Sequence, residues 1–102
     1  MQLHIQKTVL TWDEAKRLRN LQEHRVDFAD LVPFFDGCLL TGEDEREAYG
    51  EQRFQSVGFI DQDCLFVVWV LRNAGETPHI ISARKAKKHE AQKWHEFFSR
   101  YS

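Results

Sequence analysis

The sequence predicts an α+β domain: two helices first, then a mainly antiparallel sheet of about four strands, then an amphipathic helix. Three observations carry this. Apolar residues recur at helical spacing near both ends of the chain. Between them lie strand-like segments joined by short turns rich in Asp, Asn and Gly. One of these, "CLFVVWVLR" (64–72), is apolar on both faces, as a central strand covered on both sides is. A length of 102 residues suits one domain, 1–102, with one core.

Leu3, Ile5 and Lys7 alternate loosely, so residues 1–8 read as an extension or edge strand, and Val9-Leu10-Thr11-Trp12 as a short strand. Thr11-x-x-Glu14 reads as a capping box with Asp13 in the first turn. The first helix then spans about Asp13 to His24, with Ala15, Leu18 and Leu21 facing inward. Asp27 is a second N-cap; Phe28, Leu31, Val32 and Phe35 follow as a helical stripe that Pro33 kinks or shortens. Asp36-Gly37 turns the chain into a short strand near Cys38 to Thr41, and "GEDEREAYGE" (42–51) is an acidic surface loop. "RFQSVGFID" and "CLFVVWVLR" form a hairpin, "NAGETP" is the next turn and "HIISAR" the next strand. From Ala86, the spacing of Trp94, Phe97, Phe98 and Tyr101 gives the last helix, its aromatics packed in the core or, alternatively, free to stack on bases.

No apolar run approaches the length of a membrane span, and the N-terminus lacks the apolar block of a secretion signal, so a cytoplasmic protein with no membrane partner is expected. Cys38 and Cys64 are then expected as reduced thiols, with a disulfide between them as the lesser alternative. The five histidines (4, 24, 79, 89 and 95) show no metal-site spacing. Nucleotide-binding glycine loops, HExxH and GxSxG are absent. The net charge of −2 hides a polarity. Asp27 to Glu51 holds eight acidic residues against Arg46, whereas His79 to Ser102 holds six basic residues, three histidines and two acidic residues. Such a division suits two faces with different partners.

Cations gather at strand ends. Arg53 opens one strand, Arg72 closes the next, His79 opens the third, and Arg84 and Lys85 close it. Hairpin geometry places Arg53, Arg72 and His79 at one end of the sheet; Arg84 and Lys85 fall at the other unless the third strand is short or bent. Arg binds phosphate bidentately and neutralises charge developing in a transition state, and His exchanges protons near neutral pH. That set suits RNA cleavage by the 2′-hydroxyl. Pairing of Arg53 and Arg72 with the acidic loop is the plain alternative.

"TWDEAKRLRNLQEHRVDFADLVPFFDG", "YGEQRFQSVG", "LFVVWVLR" and "IISARKAKKHE" resemble, in that order, the sequence blocks of the BrnT toxin family and cover almost everything from Thr11 to Glu90. The resemblance implies a bacterial type II toxin with a RelE-like fold, a ribonuclease that halts translation. It also implies a BrnA antitoxin with a ribbon-helix-helix region, through which alone the pair meets the DNA of its own operon. The family's basic residues fall on Arg53, Arg72, Arg84 and Lys85, and its acidic helix residue on Glu90. Three positions depart: Arg25 stands where a Gly usually ends the first helix, His79 where an Arg precedes Ile-Ile-Ser-Ala-Arg, and Trp94 where a Tyr is common.

The leading expectation is therefore a metal-independent endoribonuclease toxin. Arg53, Arg72 and Arg84 bind and neutralise phosphate, with Lys85, Lys87 and Lys88 along the RNA; His79 and Glu90 are the candidates for proton transfer. His79 serves either as a proton relay or, the preferred reading, as a weaker stand-in for Arg. His24 fits a buried histidine capping the first helix as well as a catalytic one. The basic cluster suits RNA or an acidic antitoxin segment equally. No metal or organic cofactor is implied, because the 2′-hydroxyl is the nucleophile. The other expectation, favoured by His79, is a weakly active or inactive binding module working with its antitoxin in a DNA-bound repressor.

Overall fold

A computed structural model describes residues 8–45 and 50–100 of the chain. In order it comprises β1 (Thr11–Trp12), α1 (Glu14–His24), a 3-10 turn (Phe28–Asp30), α2 (Val32–Asp36), β2 (Leu40–Glu43), β3 (Arg53–Ile60), β4 (Asp63–Arg72), β5 (Thr77–Lys85) and α3 (Lys88–Ser99). The strands form one five-stranded sheet in the order β1-β5-β4-β3-β2. Only the two-residue β1 pairs in parallel, with His79 and Ile80 of β5; the other pairings are antiparallel. No described helix is long and apolar enough to cross a membrane.

The β3–β4 hairpin turns through Asp61-Gln62, with Asp61 at φ 53°. Asn73, Ala74 and Gly75 all take positive φ between β4 and β5. Side chains alternate across a strand, so paired positions share a face. On the first face Leu65, Val67, Ile80 and Ala83 pack against Val26, Phe28, Leu31 and Phe34, with Trp12 and Trp69 at the margin. Complete burial of Phe28, Leu31 and Phe34 stabilises the fold by about 1.5–3 kcal/mol each. Gly58 lets α2 settle onto β3, since a Cβ there would lie 2.5 Å from Leu39 and 3.1 Å from Phe34.

Several sequence-based expectations are corrected. The sheet has five strands because β1 adds to the edge of β5. Thr11 belongs to that strand, so the cap of α1 is Asp13, whose carboxylate accepts from the Lys16 N–H at 3.1 Å. Ala15, Leu18 and Leu21 are exposed; the buried residue of α1 is Asn20. Its amide donates to the carbonyls of Ala83 (2.8 Å) and Val26 (2.9 Å) and accepts from the Ala83 N–H (3.1 Å). The helix thus meets the edge of β5 through a polar clasp rather than an apolar stripe.

The second helix is shorter than expected. Asp27 caps only a 3-10 turn, accepting from the Ala29 N–H, and the chain restarts as the five-residue α2 with Pro33 in its first turn. Proline fits there because it has no N–H to leave unpaired. Arg25 ends α1 at φ 61°, the left-handed position a glycine would occupy without strain. Trp94 of α3 packs against Phe59 and against Phe98 of its own helix, and the Trp94 indole donates to the Cys38 carbonyl at 3.0 Å. Tyr101, the alternation at Leu3, Ile5 and Lys7, and residues 46–49 of the acidic loop lie outside the described residues.

Candidate functional site

The second face of the sheet gathers the chemistry. Val70 of β4 pairs with Arg53 on one side and His79 on the other, so these share a row; Arg72 stands one step further, opposite Thr77. At the far end Phe66 pairs with Val57 and Arg84. Four residues of β4 separate the rows, about 13 Å at strand rise. A bulge makes this arrangement possible. His79 and Arg84 are five residues apart, an odd number that would put them on opposite faces of a regular strand. Val68 pairs with Ser82 and Trp69 with Ile80, so Ile81 is an extra residue that restores His79 to the face of Arg84.

At the first end the Arg72 guanidinium pairs with Glu51, a short ion pair extended by a 3.5 Å contact from its second nitrogen. That pairing, with Arg53 and His79 nearby, holds the Glu51 carboxyl below its ordinary range. His79 Nδ1 lies 2.8 Å from the Thr11 hydroxyl, a contact made by the parallel pairing of β1. Burial, then the charges of Arg72 and Lys16, push the imidazole below its usual value against the opposing pull of Glu51 and Asp13. These surroundings favour the neutral imidazole over its charged form.

At the other end the Arg84 guanidinium lies 4.1 Å over the Phe66 ring and grips Glu90 with two bonds of 2.8 and 2.9 Å. Glu90 also accepts from the Lys87 N–H at 2.7 Å, closing the first turn of α3. Its side chain is only 13% exposed, and these bonds, Arg84 first, hold the carboxyl below its ordinary range. One carboxylate therefore ties strand to helix and balances the arginine. Between α3 and the sheet runs an open groove of about 300 Å³ lined by Leu40, Gly42, Gln55, Val57, Phe66, His89, Glu90 and Lys93.

The structure brings together Arg53, Arg72 and His79 at one end, and Arg84 with Glu90 at the other, on one face. It does not bring Lys85 there. Lys85 pairs with Leu65 and lines a separate hollow of the first face with Arg25, Asp27, Asp30 and Asp63. Lys87 and Lys88 are exposed at the start of α3. His24 ends α1 beside Glu23, outside this face. Arg72 pairs with Glu51, the last residue of the acidic loop, as the plain alternative for that arginine expects; sequence reasoning missed Thr11 as the partner of His79, and Gln55 and Lys93 as groove residues. Signals existed for two of these: Gln55 shares the strand parity of Arg53, and Lys93 follows His89 at i+4. Among the described residues, no three His, Cys, Asp or Glu side chains converge to hold a metal ion, and both cysteines are free thiols.

A mainly antiparallel sheet with a helix packed over one end, and arginine and histidine ranged along the same face, defines an α+β protein. The family model for "Ribonuclease toxin, BrnT, of type II toxin-antitoxin system" matches residues 12–90, and the chain belongs to that family. It is thus a toxin of a type II toxin–antitoxin system, a class whose toxins are partnered by a protein antitoxin. No curated protein matches the chain.

Proposed function

We propose that the chain is a metal-independent endoribonuclease of RelE-like fold that cleaves RNA and halts translation in the cytoplasm until a BrnA-like ribbon-helix-helix antitoxin covers it. The observation that carries this reading is the row in which Arg53 and His79 flank Val70, with Arg72 one step beyond. A phosphodiester seated there meets two guanidinium groups and an imidazole that is neutral at pH 7. With Nδ1 of His79 donating to the Thr11 hydroxyl, Nε2 keeps a lone pair for the 2′-hydroxyl proton. The 2′-oxygen then bonds to phosphorus, the bond from phosphorus to the 5′-oxygen breaks, and a 2′,3′-cyclic phosphate remains, while the 5′-oxygen takes a proton from water and His79 gives its own back to the hydroxide so formed. Arg53 and Arg72 stabilise the charge that builds on the phosphoryl oxygens. Glu90, held as a carboxylate, positions Arg84 rather than donating a proton. Lys87 and Lys88 attract flanking phosphates; Lys85, on the other face, adds only long-range attraction. DNA is met only through the antitoxin.

A second reading, a weakly active module serving a repressor complex, draws support from one observation: Arg72 and Arg84 already carry the carboxylates of Glu51 and Glu90. Expression without the antitoxin separates the two. Growth arrest with new cleavage ends in cellular RNA is the expected result, and a chain harmless at full expression overturns the ribonuclease reading.

A further inference from the structure

Gly42 has no conformational reason to be glycine. Its φ is not positive, and a Cβ built on it meets nothing within 4 Å, whereas Gly58 is required by the close approach of Leu39 and Phe34. Glycine within a strand weakens it by roughly 0.5–1 kcal/mol relative to alanine, and in that setting often marks where a ligand approaches closely. Gly42 lies on β2 directly opposite Gln55, and both line the groove beside α3. The floor there is apolar and partly aromatic: Leu40, Val57 and Phe66 occupy one row across β2, β3 and β4. The α3 wall presents His89 and Lys93. Gln55 pairs with Val68, midway between the row of Arg53 and the row of Arg84.

We infer that this groove is a recognition pocket for one unstacked nucleobase of the RNA, and that Gln55 reads its edge; the inference rests on the proposed ribonuclease function. An apolar floor accepts the flat face of a base, as in other single-strand readers. A planar amide offers one donor and one acceptor side by side, the pattern that discriminates bases by paired hydrogen bonds and suits adenine best. The missing side chain at Gly42 leaves the space the base fills, and Lys93 supplies a cation for an adjoining phosphate. Specificity is thereby separated along the face from the Arg53–His79 row.

The test uses 2′-O-methyl trinucleotides of A, C, G and U, which bind but cannot be cleaved, titrated into the isotopically labelled full chain and followed by NMR. The expected result is movement of the Gln55 side-chain amide and of His89 and Lys93, with the A trimer bound most tightly. Gly42→Leu should fill the groove without strain and weaken binding at least tenfold with its melt unlowered, and Gln55→Leu should flatten the preference among the four trimers. Equal binding by parent and Gly42→Leu overturns the pocket, as does an unchanged preference in Gln55→Leu or no movement at Gln55 with any trimer. Cleavage of a mixed-sequence RNA by the parent is measured alongside. Binding in the groove without cleavage sinks the ribonuclease reading and leaves the pocket standing; cleavage without groove binding does the reverse.

Discussion

Glu90→Gln isolates the clasp between β5 and α3. Glutamine keeps an oxygen for the Lys87 N–H but removes the charge that Arg84 grips at 2.8 and 2.9 Å. Hydrogen bonds between charged groups contribute about 1.5–3 kcal/mol. The Arg84 side chain is 30% exposed, so solvent screening brings the loss to about 1.5–2 kcal/mol. At 4–8 °C per kcal/mol for a domain of this size, the thermal midpoint at pH 7 falls by roughly 6–16 °C. Acid should erase the difference. The folded Glu90 value lies below the ordinary 4.5, so its contribution is complete above that value and is lost as pH falls through the folded one. The gap between parent and variant should therefore shrink steadily as pH falls below 4.5. A gap below about 2 °C at pH 7, or an equal gap at pH 3 and pH 7, refutes the clasp. Cleavage adds a second axis. Glu90→Gln loosens the hold on Arg84 and should lower the rate only a few-fold, whereas Arg84→Ala removes the guanidinium itself and should lower it about ten- to hundredfold. A dead Glu90→Gln enzyme with an intact fold would make Glu90 the proton carrier instead.

Three further outcomes are expected. Because the His79 imidazole is held below 6.5, the cleavage rate should rise to its plateau with an apparent pKa under that value; His79→Arg should be slower at pH 7 by tenfold or more, and a faster variant refutes the proton-transfer role. Asn20→Ala removes three bonds, including the partner of a buried N–H, and should cost about 2–4 kcal/mol, read as a loss in the urea midpoint; a loss under 1 kcal/mol overturns the clasp at β5. Arg25→Gly relieves the left-handed φ of 61° and should raise stability by about 0.5–1 kcal/mol in the same assay, with a fall counting against strain at that turn.

The α+β class, the hairpin and both long helices are legible because periodicity and turn chemistry are local. Hairpin counting alone puts Arg53, Arg72 and His79 at one end of the sheet and Arg84 with Lys85 at the other, where the strand pairing has them. Their common face was not legible, since it depends on the bulge at Ile81, and nothing in "HIISARK" marks one residue as extra. The inward face assigned to α1 failed for a related reason. Leu18 and Leu21 look like a core stripe, yet the helix docks through Asn20 against backbone groups of β5, and such a contact leaves no apolar pattern. Pro33 was seen, but whether a proline bends a helix or begins one depends on the unpaired N–H groups around it.

The clasp of Asn20 on Ala83 also bears on how copies of this chain behave when crowded. A sheet with two bare edges is a template that stacks without limit, each copy passing the pairing to the next. Here β1 and Asn20 together occupy the backbone groups along the outer side of β5, while among the described residues no strand pairs with the outer side of β2. Among the described residues the sheet thus has one adhesive side. Two copies joined there exhaust each other, so edge pairing ends in a closed twofold pair and never in a fibre.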